Sequence, residues 1–231
     1  MATKNVVPLR SESIDDYLKA ILELGGSDEA QVTSNALAEH LAVRAASVTG
    51  MLQKLAAQRQ PLVLYEKHRG VKLTAAGKRR AWELVRHHRL LELFLHDVLK
   101  YSWDEVHEEA ERLEHFISER FEDRVAALLG DPYIDPHGHS IPQKDELGVF
   151  GRETLLVDWP LQRPATIVSV SDRDPALLRE LERLGIVPGV TLRVEQRKPG
   201  TALWIRTRGS ENQIRLRHEL ALCVSVAAGN S

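Results

Sequence analysis

The segment from Thr33 to Thr74 constrains the fold of this chain more than any other. Thr33 can cap a short helix with Leu37 and Leu41 inward, and a break over 43–45 leads to a second in which Val48, Leu52 and Leu55 recur at helical spacing. Two short apolar or β-branched runs follow, "LVLY" and "VKLT", joined by "EKHRG", and a loop of that length with a glycine predicts a β-hairpin. An earlier helix, capped by Ser11 or Ser13, places Ile14, Leu18 and Ile21 on one face and ends at "GGS". Helix, two short helices and a basic hairpin, in that order, predict a winged helix-turn-helix.

Such a head reads nucleic acid through its last helix. Short polar residues and a glycine, Ser47, Thr49, Gly50 and Gln53, would face outward there and let the helix approach base edges closely. Arg44, Lys54, Lys67 and Arg69 are spaced to reach phosphates. The expected partner is double-stranded DNA, bound by a homodimer on a palindromic operator.

The net charge of -2 hides an asymmetry. Residues 1–80 hold 12 basic against 8 acidic side chains, residues 81–140 hold 6 against 14, and residues 141–231 hold 13 against 11. The acidic middle also contains seven of the 10 histidines. A basic head and an acidic, histidine-rich middle suit contact with a polyanion and capture of a cation. Cys223 is the single cysteine, so a thiolate cage is excluded, and its apolar run "LALCVSV" predicts a buried, inert thiol. With no apolar run of membrane-spanning length and no signal-peptide pattern, a cytoplasmic protein without membrane contact is expected.

Thr74 should cap a long helix running to about Leu99. Ser102 and Glu105 form a Ser-x-x-Glu capping box for a helix over 103–118, and a third spans roughly 119–129, ending at Gly130. These helices offer more apolar positions, Trp82, Leu90, Leu93, Phe94 and Phe116 among them, than the head can cover, which predicts a symmetric dimer. "DPYIDPHGHSIP" reads as a turn-rich loop. After Pro164 the runs "ATIVSV", "VTLRV", "ALWIR" and "QIRL", with one helix near 175–184, predict a small barrel-like β domain. The expected organisation is a winged helix-turn-helix over 1–74, a helical metal-binding and dimerisation domain over 75–140, a linker over 141–163 and a β domain over 164–231. The fold class is mainly α with small β parts.

Within the middle, "HEEAERLEH" sets His107, Glu111 and Glu114 in a narrow sector of one helix, with His115 beside them, bordering the apolar stripe Val106, Ala110, Leu113, Ile117. On the preceding helix His88 and Glu92 are i, i+4 neighbours flanking a similar stripe. Antiparallel packing would bring both sets together. Buried carboxylates demand a positive partner, and three carboxylates with three histidines point to a divalent ion. Oxygen and imidazole ligands without thiolate favour Mn2+, with Fe2+ as the alternative, over structural zinc. His87 and His96 read as ordinary surface or internally satisfied histidines.

The zincin pattern is absent, and no histidine follows a glutamate by three residues, so the metal is expected to signal and the chain not to be an enzyme. Two other classes stay open on the sequence. One is a metal-independent helix-turn-helix regulator whose acidic middle only dimerises; the other is a metallohydrolase with an accessory DNA-binding domain.

"SVTGMLQKL", "LYEKHRGVKLTAAG", "RHHRLLELFL", "VHEEAERLEH", "DPHGHSIP" and "LGIVPG", in that order, resemble the diphtheria toxin repressor family of metal-dependent transcription regulators, especially its manganese transport regulator branch. The resemblance covers nearly the whole chain and implies an SH3-like fold for the last domain and repression of metal-uptake genes. It also implies one metal site at His88, Glu92 and His107, and another at Glu111, Glu114 and His115, completed by Asp16 from the first helix. Glutamate at position 111 matches the manganese-type members. Lys19 departs from the pattern, standing where that branch has a glutamate ligand. By position, Asp174 is the ligand the SH3-like domain could add. Metal bound this way would tie the DNA-binding head to the dimer domain.

Overall fold

The computed structural model describes residues 12–144, 146–148 and 154–229, so Ser11, one of the two candidate caps, lies outside the described residues. The chain divides into two compact units. The first comprises the residues up to His88, Glu111–Asp123 and the segment from Pro142. The second comprises Arg89–Ala110, Arg124–Ile141 and the chain from Gly151.

The first unit opens with α1 (Glu12–Gly25), α2 (Ser34–His40) and α3 (Ala45–Ala56). Thr33 caps α2 as its sequence suggests, accepting from the Ala36 amide at 3.1 Å. Antiparallel strands β1 (Val63–Glu66) and β2 (Gly70–Leu73) form the wing. Gly70 is required there: its φ is +116°, and a Cβ would meet the Val32 carbonyl oxygen at 2.5 Å. Leu18, Leu37, Leu52 and Leu55 are wholly buried in one core, each contributing about 1.5–3 kcal/mol. This is the winged helix-turn-helix that the order of elements predicts. Thr74 then accepts from the Gly77 amide at 3.1 Å and starts α4 (Ala75–Asp97), which serves both units.

The next helix is shorter than expected. The capping pair forms, with the Ser102 amide donating to Glu105 at 3.2 Å, yet α5 covers only Val106–Leu113. Residues 114–116 are a turn, and α6 (Glu119–Leu128) follows. Adjacent residues on a helix point about 100° apart, whereas Glu114 and His115 are both buried. The helix ends so that both can turn inward. Trp82 and Leu90, offered by their pattern for a dimer surface, are covered by their own chain, while Phe116 is 75% exposed.

In the second unit a six-stranded antiparallel sheet has the order β3-β8-β4-β5-β6-β7. Its strands are β3 (Thr154–Leu155), β4 (Pro164–Val170), β5 (Thr191–Lys198), β6 (Ala202–Thr207), β7 (Ile214–Arg217) and β8 (Val224–Ala228). Two helices complete it, α7 (Pro175–Arg183) and α8 (His218–Leu222). β3 lies inside the stretch 141–163 expected as linker, where two residues pair with β8 and carry no periodicity of their own. "LALCVSV" splits between α8 and β8, leaving Cys223 half-buried, not buried, with its thiol on the Glu219 carbonyl. Among the described residues no helix is long and apolar enough to cross a membrane.

Candidate metal centre

In the first unit, α1, α4 and the 111–115 segment converge on one cluster of charge. Lys19, 8% exposed, donates to Glu111 Oε1 at 2.6 Å and to Glu114 Oε2 at 2.9 Å. Glu114 is fully buried, and its Oε2 also lies 2.6 Å from His88 Nδ1. His115 faces two aspartates of α1, with Nε2 at 3.3 Å from Asp16 Oδ1 and Nδ1 at 3.6 Å from Asp15 Oδ2. Proximity to Asp15, then Asp16, pushes the His115 imidazole up to about 10. Asp15 is itself held by Arg80 at 2.6 Å; burial pushes its carboxyl up, but His115 and Arg80 together keep it below the usual range. An imidazole with one nitrogen toward an orienting carboxylate and the other toward a candidate ligand is the usual posture of a metal-binding histidine.

The second unit assembles a second cluster. Glu92, wholly buried on α4, lies 3.2 Å from His107 Nδ1 of α5, and Asp172 Oδ2, from the loop after β4, lies 3.5 Å from the same nitrogen. Glu92, His107 and Asp172 each offer an atom within 4.8 Å of the others, as do Glu92, Asp135 and His137. The last two come from "DPHGHSIP". Asp135 Oδ1 accepts from the amides of His137 and His139 at 2.8 and 2.9 Å, which curls the loop around its own carboxylate. Gly138, at φ +92°, lets the loop pass against the Val168 carbonyl of β4, where a side chain would collide. Burial lowers the affinity of His137 for a proton, but Glu92 beside it outweighs this and pushes the imidazole up to about 9. His139, facing Asp135 at 3.3 Å, is raised despite its burial.

A divalent ion suits this second set. His137 Nε2 lies 3.0 Å from the Trp103 carbonyl, which can only accept, so that nitrogen carries hydrogen. Its Nδ1 and Asp135 Oδ2 are buried and make no hydrogen bond, although Nδ1 lies 3.7 Å from Glu92 Oε1 and Oδ2 lies 3.3 Å from His139 Nδ1. Donor atoms left without a bond inside a protein are costly, and a ring fixed by its far nitrogen is oriented as a metal ligand.

The sequence-derived candidates divide accordingly. His88 stands one turn before Glu92 on α4 and offers a ligand atom within 4.8 Å of one from Glu92, as their spacing predicts, while its Nδ1 faces Glu114; Asp16, Glu111, Glu114 and His115 gather in the first cluster, and Glu92 and His107 in the second. Asp174 caps α7, accepting from the amides of Ala176 and Leu177, and Asp172 is the carboxylate beside His107. Asp135, His137 and His139 had a legible sign, Asp-x-His-x-His around a glycine, within a stretch that reads as loop alone. His87 is buried, with nitrogens 3.2 Å from the Glu114 carbonyl and from Glu122.

Along α3, Ser47, Gly50, Gln53 and Lys54 are exposed, as are Arg44 before it and Lys67 and Arg69 on the wing. Space around the Gly50 Cα is open. Thr49 is half-buried and returns its hydroxyl to the Ala45 carbonyl at 3.2 Å. Arg69 pairs with Glu66 at 3.0 Å, an exposed contact that is weak in water.

Three family models match in series: the iron dependent repressor N-terminal DNA binding domain over 10–71, its metal binding and dimerisation domain over 74–143, and an FeoA domain over 154–228. The iron-dependent repressor IdeR of Mycobacterium tuberculosis is 33% identical over 228 residues, spanning 93% of this chain and 96% of that protein. The regulator MntR of Bacillus subtilis is 34% identical over 121 residues, 52% of this chain and 82% of its own. A solved manganese-dependent transcriptional repressor in complex with manganese superposes with a TM-score of 0.84 at 35% identity, over 93% of this chain and 99% of that one. With a DNA-reading head, two carboxylate and histidine clusters and similarity over 93% of its length, this chain belongs to the diphtheria toxin repressor family of metal-dependent, DNA-binding transcriptional repressors, on its manganese-regulator branch.

Proposed function

We propose that this protein is a cytoplasmic homodimer that represses metal-uptake genes when Mn2+ is abundant, with Fe2+ as the alternative ion. The observation that carries the reading is the second cluster, where buried carboxylates and histidines leave His137 Nδ1 and Asp135 Oδ2 without hydrogen bonds. An all oxygen and imidazole set suits Mn2+ or Fe2+, and bound metal would displace the proton held by His137. In the first cluster Asp16, Glu114 and His115 are the ligands we assign, with Glu111 beside them on Lys19. Their role is mechanical: an ion shared by α1 and the 111–115 segment couples the DNA-binding head to the chain that follows α5. In a dimer that coupling sets the separation of two α3 helices, which must match half-sites about 34 Å apart. Metal thereby selects the DNA-competent state. Ser47, Thr49, Gly50 and Gln53 are assigned to base edges, and Arg44, Lys54, Lys67 and Arg69 to phosphates.

The test is binding to promoter fragments of metal-uptake genes in Mn2+, Fe2+, Zn2+ or chelator at fixed ionic strength. Mn2+ should tighten binding about 5–150-fold, the usual range of coupling between two sites. Lys54→Ala and Arg69→Ala should each lower the salt slope by about one. Equal affinity with and without every ion would reject metal control, and unchanged salt slopes would remove the reading face.

A further inference from the structure

Lys19 has no place in a set of metal ligands, yet its ammonium stands inside one. Nζ lies 2.6 Å from Glu111 Oε1, 2.9 and 3.1 Å from the two oxygens of Glu114, and 3.4 Å from His88 Nδ1. These groups come from two parts of the chain, α4 and the 111–115 segment, 69 to 95 residues from Lys19 in sequence. An ammonium has three donors, and here Glu111 Oε1 and the two oxygens of Glu114 receive them. Transition-metal ions sit about 2.0–2.2 Å from such ligands. An ion on Glu111, Glu114 and His88 would therefore overlap the space of the ammonium and meet its like charge. The two cations exclude each other.

The remaining groups stand to one side. Asp16 Oδ1 is 3.3 Å from His115 Nε2, which is 3.8 Å from Glu114 Oε1. An ion there would share only Glu114 with the lysine. A plain ion pair of a buried ammonium with two carboxylates would not leave a second ligand set adjoining it.

We propose that Lys19 is a tethered cation that permanently takes one of two ion positions in this cluster. The cluster then holds a single divalent ion, on Asp16, Glu114 and His115, while Lys19 joins α1 to residues 111–114 without metal. The inference rests on the metal-regulated reading above, and its test separates the two. The full-length protein carrying His137→Ala and Asp172→Asn, which silence the second cluster, is titrated calorimetrically with Mn2+ and followed by electron paramagnetic resonance. This parent should take one ion per chain and give the signal of an isolated Mn2+. Adding Lys19→Glu should raise the count to two and produce the spectrum of a spin-coupled pair, which a merely structural lysine would not do. Lys19→Met, which removes the charge without adding a carboxylate, should gain an ion as well and covers the case in which Lys19→Glu does not fold. Two ions in the parent, or an unchanged count in both variants, overturns the proposal. A parent that takes none while Lys19→Glu and Lys19→Met take one would keep Lys19 in its role and instead reject Asp16 and His115 as an ion site.

Discussion

The two clusters solve one electrostatic problem with different cations. Each buries a glutamate completely, Glu114 in the first unit and Glu92 in the second. Glu114 is answered by a lysine on a four-carbon tether, and its charge is balanced as soon as the chain folds. Glu92 faces two histidine nitrogens, His107 Nδ1 at 3.2 Å and His137 Nδ1 at 3.7 Å, and the positive charge on His137 is a proton. A tethered ammonium cannot leave, whereas an imidazolium can give up its proton to make room for a metal ion. Likeness of two ligand sets in composition says little about which of them exchanges its cation.

The sharpest way to break this contrast is Glu114→Ala. Truncation strands the Lys19 ammonium inside the unit with only the 41% exposed side chain of Glu111 as carboxylate partner, and should destabilise the metal-free protein by about 3–5 kcal/mol in urea unfolding. A loss under about 1 kcal/mol would mean that Lys19 is already hydrated and the cluster open.

Glu122 shows the tethered arrangement where Arg86 and His87 are its partners. Burial pushes its carboxyl up, but His87 and Arg86 outweigh this and hold it near about 2, against an ordinary 4.5. A carboxylate depressed in the folded state stabilises above its unfolded value and loses that stability as pH falls through its folded one. The window is therefore about pH 4.5 down to about 2, and the contribution lost there is at most about 3 kcal/mol. In Glu122→Gln, melting temperature should fall less steeply across that window than in the parent; parallel curves would show that Glu122 is not held by its partners.

His137→Ala probes the exchangeable side. It should lower Mn2+ affinity by about 10–100-fold, or roughly 1.4–2.7 kcal/mol, because even groups that only orient a ligand are worth that much. The metal-free fold should be destabilised as well, because the buried ring leaves a cavity beside Trp103 and takes its hydrogen bond and its charge away from Glu92. Unchanged calorimetric affinity would remove His137 from the site. The smallest effect belongs to Glu111→Gln. Its carboxylate is 41% exposed, so solvent screens its pair with Lys19 to about 0–1 kcal/mol despite the 2.6 Å contact. A loss as large as that of Glu114→Ala would erase the distinction between the buried and the exposed partner.

Local pattern carried the head of this protein unaided. Val48, Leu52 and Leu55 declare the inner face of α3, and Thr33 and Thr74 declare the starts of α2 and α4, because capping and helical periodicity act within a few residues. The same period misjudged α5. Val106, Ala110, Leu113 and Ile117 continue a helical stripe past the point where the chain turns, since nothing local records that Glu114 and His115 must both be buried. β3 was illegible for a related reason: two residues form a strand only because β8 lies alongside.

The donor types that the clusters offer, oxygen and imidazole with no thiolate, were determined by the sequence alone, as were the charge asymmetry and the order of head, helices and β domain. Which groups meet was decided by tertiary structure. Asp172 and Asp174 differ by two positions, yet one faces His107 and the other caps α7. Lys19 reads as an ordinary helical lysine until Glu111 and Glu114, more than ninety residues later, are folded against it. A side chain's own chemistry travels with its residue; its electrostatic partners depend on which distant segments the packed core holds beside it, and no local period encodes that.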